Sequence, residues 1–440
     1  MSLESPLSCL TGAFTSSRLS LSHFDLDVLS GIAILFGGQA AVSALALQPL
    51  YGRIWHGWYN APGCHAIVWE LVRTLLQSSD SQYSERLALS LGIDGKKGPK
   101  YVASRSGTVM QHTRHLAYML INSNWRGKEC SPVIVGRRVS PTPMQLMIVD
   151  FKKKVLTGDD TLPPRSSKHS FLSIIAVATS IAACAGCARV EDWLSFKMIL
   201  LGMVSSGITS FIMSTGRITL ERLKPADGVP PGDGMLLSDN RIVILRGNEE
   251  DVNAVTKGRL RLKLKGGGYT LLLCAFIALS QVTLQLAFMP FGSLPGQIMF
   301  LLSLLVSGAC NLYLSAKGDD VQSNALITLL NNPEVKTYQA SSRASAAVLA
   351  CLALCWDSDT PPMQVLQDIV PISPRPWKVW SEFVVGNIER KSTHFVWGID
   401  ESRNDLEDRE EKLLTELVDD AHAAYDQYMK DHDIRIAIYL

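Results

Sequence analysis

Two apolar stretches decide the fold of this chain: TLLLCAFIALSQVTLQLAFM at 270–289 and QIMFLLSLLVSGACNLYL at 297–314. Neither stretch contains a charged residue. A helix of about 20 apolar residues spans the roughly 30 Å hydrocarbon core of a bilayer, so each stretch is long enough to cross a membrane. The link between them, PFGSLPG at 290–296, is uncharged and rich in turn-forming residues. The pair therefore predicts a transmembrane helical hairpin over 270–314.

Three further stretches have the same character, at 28–47, 171–188 and 193–215. The first predicts a single transmembrane helix, and the other two predict a second hairpin over 171–215. A sixth apolar run, 344–356, is shorter than a span requires, which favours a buried core helix and leaves a sixth span as the alternative. The predicted fold class is mainly α: a helical transmembrane bundle of about five spans, with a cytoplasmic α/β loop module and an amphipathic C-terminal helix.

The polar segments between these stretches differ in charge. The N-terminal arm, 1–27, has one basic and three acidic residues, whereas the loop at 48–170 has 17 basic and eight acidic residues. The loop at 216–269 has ten basic and seven acidic residues. Lys and Arg near the ends of spans favour the cytoplasmic side. We therefore expect the arm outside, and both loops and the tail at 315–440 on the cytoplasmic side.

The loop at 216–269 has the pattern of a small folded module. Short strands at Met235–Leu237 and Arg241–Leu245 flank a turn-forming Ser-Asp-Asn triplet, which predicts a β-hairpin. Asn248 and the three acidic residues after it favour the start of a helix that ends near Gly258.

Basic and apolar residues then alternate from 259 to 265, which predicts an extended strand with one cationic face. The candidates for contact with anionic lipid headgroups are Lys257, Arg259, Arg261, Lys263 and Lys265. The alternative is an ordinary positive flank that fixes the topology. Interspersed acidic residues and the lack of aromatic residues among these cations argue against nucleic-acid binding.

The tail is acidic, with 21 Asp or Glu against 12 Lys or Arg. Apolar residues recur with helical spacing over 401–430, which predicts an amphipathic helix with a partner surface. We expect a protein partner to bind there. A second hypothesis is that the tail docks on the oppositely charged loop at 48–170.

Polar residues inside the predicted spans are few, so each is a candidate for function. Gln281 and Gln285 lie on one face of the fourth span, where they line a permeation path or hydrogen-bond a neighbouring helix. Asp319 and Asp320 follow the fifth span and are weak candidates for holding Mg²⁺ and a diphosphate. No nucleophile elbow, phosphate loop or zinc-protease motif is present, so we expect no catalytic residues, resident metal or cofactor.

Aromatic residues follow the first span directly. Tyr51, Trp55, Trp58 and Tyr59 are predicted to lie in the headgroup layer, where amphipathic rings are common.

Three segments carry a resemblance to a known group of proteins: GQIMFLLSLLVSGACNLYLS at 296–315, PPMQVLQDIVPISPRPWKVWSEFVV at 361–385 and DVNAVTKG at 251–258. Together with the predicted hairpin, they resemble a large group of uncharacterised multi-span membrane proteins of basidiomycete fungi over about 200–390. The resemblance implies a eukaryotic membrane protein and brings no activity, ligand or functional residue with it.

Three functions are compatible with these patterns. The first is a non-enzymatic scaffold that acts through its cytoplasmic segments. The second is a small-solute or lipid transporter or channel that uses the Gln281 and Gln285 face. The third is a membrane-embedded, Mg-dependent diphosphate enzyme that uses Asp319 and Asp320.

Overall fold

The computed structural model of the chain comprises a helical bundle and an α/β domain at one end of it. It describes most of the chain, with gaps at the N-terminus and in several loops. The described residues are 33–51, 57–77, 82–122, 133–135, 144–151, 161, 170–330, 333–358, 360–370, 374–397 and 407–439.

Four long helices form the bundle, and each is long and apolar enough to cross a membrane. They are α6 (Ser170–Arg189), α7 (Trp193–Ser214), α9 (Gly267–Phe288) and α10 (Leu294–Ala316). The two predicted hairpins are therefore present, α6 with α7 and α9 with α10. Their connecting turns lie together at one end of the bundle, called the turn end below. The α/β domain continues from the other end, called the sheet end.

One carboxylate joins the two turns. Asp192 caps α7 by accepting hydrogen bonds from the backbone nitrogen and hydroxyl of Ser195, at 3.0 and 2.8 Å. Its Oδ2 also accepts from the backbone nitrogen and hydroxyl of Ser293, at 2.8 and 2.6 Å. Burial raises the pKa of this carboxyl, but the hydrogen bonds outweigh burial, and the pKa lies below its ordinary value. The ionised form of Asp192 thus fastens one hairpin to the other.

The transmembrane helix predicted over 28–47 is interrupted in its described part. The chain turns at Phe36 and Gly37, where the φ of Gly37 is 72°, and only then enters the nine-residue helix α1 (Gly38–Ala46). Ile34 packs in the apolar cluster at the turn end, whereas Leu47 lies beside Gly318 at the sheet end. The segment therefore still runs along the bundle from one end towards the other, but as a broken helix. Residues 28–32 lie outside the described residues.

The α/β domain is built on a sheet of seven strands in the order β2-β1-β6-β7-β4-β9-β3. The strands are β1 (Lys100–Ala103), β2 (Val109–Met110), β3 (Val133–Val135), β4 (Met144–Asp150), β6 (Gly234–Leu237), β7 (Arg241–Arg246) and β9 (Glu334–Ala340). The predicted hairpin is confirmed as β6 and β7, which pair antiparallel. The loop at 216–269 is nevertheless not a module of its own, because β4 pairs with β7 on one side and with β9 of the tail on the other.

Helices cover both faces of this sheet. On one face lie α12 (Arg343–Cys355), α13 (Pro362–Ile369), α14 (Arg375–Glu389) and α15 (Asp408–Tyr439). On the other lie α5 (His115–Asn122) and α8 (Glu249–Thr256). Every residue of α12 from Ala344 to Cys355 is buried, and the helix packs against β4, β7 and β9. The apolar run at 344–356 is therefore a core helix, as predicted.

The remaining elements connect the bundle with the domain. They are α2 (Gln48–Tyr51), α3 (Cys64–Gln77), α4 (Tyr83–Ser90), α11 (Gly318–Leu329) and a second sheet of β5 (Arg217–Glu221) and β8 (Arg259–Lys263). The predicted basic strand is confirmed as β8, in which the leucines are buried and the cations are not.

Candidate solute site inside the bundle

A short non-helical segment, 57–63, lies inside the bundle. It follows α7 from the sheet end inwards: a Cβ on Gly57 would meet Ser210, Trp58 lies against Gly207, and Asn60 lies against Gly202. Eight helical residues separate Ser210 from Gly202, a rise of about 12 Å. The chain then returns to the sheet end in α3, which packs along α9 and leads into α4 beside β8. Residues 57–77 therefore form a re-entrant segment that enters the bundle and leaves it at the same end.

Asn60 lies at the innermost point of the re-entrant segment, farthest from the sheet end. It is 0% exposed and contacts all four long helices. Its backbone nitrogen donates to Ser180 of α6 at 3.1 Å, and its Nδ2 donates to Ser303 of α10 at 2.9 Å. Its Oδ1 accepts from Gln285 of α9 at 3.0 Å, and Gly202 of α7 leaves the space that the side chain fills. Buried amides are costly unless their hydrogen bonds are made, and here one asparagine makes three of them.

The structure brings Gln281 and Gln285 together as predicted, but both are buried. Gln285 Nε2 donates to Asn60 and also to the carbonyl of Met198, each at 3.0 Å. Gln281 Nε2 lies 3.4 Å from Gln285 Oε1. Gln285 thus holds the re-entrant segment in place, whereas Gln281 also lines the cavity described next.

A cavity lies beside this network, between α1, the re-entrant segment, α7, α9 and α10. It encloses about 420 Å³, including the space at its mouth, and its interior has room for about two water molecules. Its polar lining consists of Gln48, Tyr59, Cys64, Ser206, Thr209, Ser210, Gln281 and Asn311. Among the described residues that line the cavity, none is charged. The lining therefore offers hydrogen bonds without a net charge.

Gln48 is the most informative residue of this lining. It is 3% exposed, and no described group donates to its Oε1. Tyr59, by contrast, donates from its hydroxyl to Asn311 Oδ1 at 2.7 Å. An unpaired buried carbonyl oxygen costs about 1–3 kcal/mol, so a hydrogen-bond donor that reached this side chain would be bound favourably.

Apolar side chains close the bundle between the cavity and the turn end. Ile34, Met198, Ile199, Met289 and Phe300 form a buried apolar cluster there. The cavity is accordingly separated from the turn end by the Asn60 network and then by apolar side chains.

Sequence reasoning missed Gln48, Asn60 and Asn311. Of the aromatic residues predicted to lie in the headgroup layer, Tyr51 and Tyr59 are buried inside the protein, and Trp58 packs against Gly207. Trp55 lies outside the described residues. The signal available in the sequence was the run Asn-Ala-Pro-Gly at 60–63, a short distance after the apolar stretch at 28–47. Such residues mark an irregular chain path.

The predicted headgroup cations divide into two groups. Arg259 pairs with Glu85 at 2.8 Å, and Arg261 pairs with Glu221 at 2.6 Å. Lys263 and Lys265 are exposed, and Lys257 is half-buried.

The acidic candidates at the sheet end are paired with lysines of the same chain. Asp319 binds Lys96 at 3.0 Å with 68% of its side chain exposed, and Asp320 lies 3.6 Å from Lys317. Across the residues that the structure describes, no group of three or more His, Cys, Asp or Glu is arranged to hold a metal ion. The Asp319 pair is therefore engaged with cations of the chain itself.

The amphipathic tail helix has its apolar face covered within the chain. Leu414, Leu417 and Tyr425 of α15 are buried against α12 and α14. Trp380 Nε1 of α14 donates to the carbonyl of Leu417 at 2.9 Å. Residues 401–406 lie outside the described residues. The face from which a partner surface was predicted thus packs on the rest of the tail.

Comparison with known proteins adds no relative: no family model matches the chain, no curated protein matches it, and no solved structure matches it.

Proposed function

We propose that this chain is a multi-pass integral membrane protein that takes a small, uncharged polar solute into the bundle cavity and passes it across the membrane. The observation that supports this proposal best is the re-entrant segment with Asn60 at its top. The proposal corresponds to the transporter or channel hypothesis, with the solute path moved from the Gln281 and Gln285 face to the cavity lined by Gln48.

The energetic argument concerns the irregular backbone at 57–63. Inside a bilayer, every backbone polar group needs an internal partner, so non-helical segments at that depth occur where protein buries them or where they line a water-filled cavity. Transporters use discontinuous helices of this kind near the membrane midplane to build solute sites. Here the re-entrant segment meets the break at Gly37, since a Cβ on Gly63 would lie 2.7 Å from the Cα of Gly38. A scaffold needs neither feature.

The chemistry of the lining selects the solute. Hydroxyl and amide groups without charge favour a neutral molecule, and the unpaired Oε1 of Gln48 favours one with a hydrogen-bond donor. Water, urea and glycerol satisfy these conditions, with water the best fit to the volume present. The apolar cluster closes the cavity at the turn end, so this structure corresponds to an occluded state. Passage of the solute requires the cluster to open.

The other two hypotheses have less support from the geometry. The apolar face of α15 is covered within the chain, which removes the main argument for an external protein partner. Asp319 and Asp320 are paired with Lys96 and Lys317, which weakens the argument that they hold Mg²⁺ and a diphosphate.

The test uses purified protein in sealed proteoliposomes, with osmotic volume changes followed by stopped-flow light scattering. We expect water, urea or glycerol to cross several-fold faster than in protein-free vesicles. Gln48→Leu removes the acceptor without touching the Asn60 network and should return the rate close to background. Gln364→Leu makes the same change at an exposed position in α13 and should leave the rate at the wild-type level. Rates equal to protein-free vesicles for all three solutes, or unaffected by Gln48→Leu, would contradict the proposal.

The proposal includes the topology. The broken segment through α1 forms a first crossing and the four long helices form the others, with the turn end outside and the sheet domain in the cytoplasm. The charge distribution supports this orientation. In sealed vesicles with the cytoplasmic face outward, a C-terminal tag should be removed by added protease. A tag that stays protected until detergent is added would show that the protein has the opposite orientation.

A further inference from the structure

Two cations face each other across the small β5–β8 sheet at the sheet end of the bundle. The strands pair antiparallel, with Arg217 directly opposite Lys263 and Glu221 directly opposite Arg259. Side chains of opposed residues in such a pair lie about 4.5–5.5 Å apart at Cβ, and like charges there are destabilising. Arg217 and Lys263 are exposed, and no described side chain forms an ion pair or hydrogen bond with either.

The rest of the polar face of this sheet is neutralised. Arg261 binds Glu221, and Arg259 binds Glu85 of α4. Arg222, just beyond β5, binds Asp251 of α8 at 2.9 Å. Among the described residues of the sheet and their partners, unpaired positive charge remains at the end of the strands where Arg217 and Lys263 lie, with the exposed Lys265 two residues further on.

That end of the sheet is the one closest to the spanning helices. Arg217 comes three residues after the end of α7 at Ser214, and Lys263 comes four residues before α9 begins at Gly267. The opposite face of the sheet, including Ile218 and Leu262, is buried in the core cluster that it shares with the bundle. The free cations are thus held at the level where a helix leaves the hydrocarbon and the headgroup layer begins.

We propose that Arg217 and Lys263, with Lys265 beside them, bind the phosphate of an anionic lipid headgroup. The phosphate relieves the repulsion between two opposed cations, and an arginine can bind it through two parallel N–H groups. The site is distinct from the five-residue cationic flank predicted from the sequence, because Arg259 and Arg261 are excluded from it and Arg217 is added. It is independent of the cavity and of the proposed solute passage.

The test measures lipid binding by the full chain in detergent, using native mass spectrometry during titration with phosphatidylglycerol or phosphatidylcholine. We expect wild type to retain phosphatidylglycerol in preference to phosphatidylcholine. Arg217→Gln/Lys263→Gln should weaken phosphatidylglycerol binding roughly 25-fold, since each cation near an anionic headgroup contributes about five-fold. Arg409→Gln/Lys412→Gln removes the same charge from exposed positions on α15 and should leave binding unchanged.

Thermal unfolding separates loss of the site from loss of the fold. Without anionic lipid, Arg217→Gln/Lys263→Gln should melt at the wild-type temperature or above it, because the opposed charges are gone. Added phosphatidylglycerol should then raise the melting temperature of wild type and not that of the variant. Equal stabilisation of both proteins, no preference for phosphatidylglycerol, or equal stabilisation of wild type by inorganic phosphate would overturn the proposal.

Discussion

Gly202→Ala is expected to destabilise the bundle by about 3–5 kcal/mol, a large effect for one methyl group. A Cβ on Gly202 would lie 2.0 Å from Oδ1 of Asn60 and 2.7 Å from Nε2 of Gln285. Neither side chain is free to move aside, because Asn60 is fixed by Ser180 and Ser303. The methyl group must therefore push the re-entrant segment away and leave several buried amide groups without partners.

The measurement is the thermal unfolding midpoint of the purified protein in detergent. The matched control is Gly268→Ala in the first turn of α9, where a Cβ meets nothing within 4 Å. That change should leave the midpoint unchanged or raise it slightly, since alanine is the better helix former by about 0.5–1 kcal/mol. If both variants unfold at the same temperature as wild type, Asn60 does not occupy the position described for it.

Ala421→Asp is expected to cost more than about 4 kcal/mol and to unfold the α/β domain. Ala421 is 0% exposed on the face of α15 that packs against α12 and α14. A carboxylate placed there is removed from water among apolar side chains such as Leu349 and Leu417. The domain must either open at this interface or bury an unpaired charge.

Limited proteolysis and light scattering of the purified protein report the result. Thr415→Asp adds the same charge at an exposed position of α15 and should change neither readout. Since α15 covers the core of the domain, we expect Ala421→Asp to expose α12 and α14 to protease before the bundle is cut. Resistance equal to that of Thr415→Asp would show that the tail helix is held only loosely.

The long helices could be predicted because each carries its own signal. An uninterrupted apolar run specifies a membrane-spanning helix almost independently of the rest of the chain, as 270–289 and 297–314 illustrate. The basic strand and the β6–β7 hairpin are equally local, the first through its alternation and the second through its turn residues. The apolar run at 344–356 was assigned to the core by length alone.

The sheet and the bundle cavity depend on contacts between distant residues, and no local pattern encodes them. β4 and β9 pair with each other although about 190 residues separate them. Asn60 fills the space that Gly202 leaves on α7, although the two residues are far apart in the sequence. Likewise, the apolar residues of 401–430 indicated a partner surface, and the surface they meet belongs to the same tail. Amphipathicity shows that a face is covered without identifying what covers it.

The order of the strands has a consequence for synthesis of the chain. β4 is translated before any of the four long helices, but its neighbour β9 follows the last of them. At roughly 5–20 residues per second, the ribosome needs on the order of 10–40 s to make the intervening chain. During that interval β4 has an unpaired edge, which is prone to pair with other chains. Synthesis of the four long helices therefore precedes closure of the domain, and a ribosome that stalls after α10 leaves β4 without its neighbour β9.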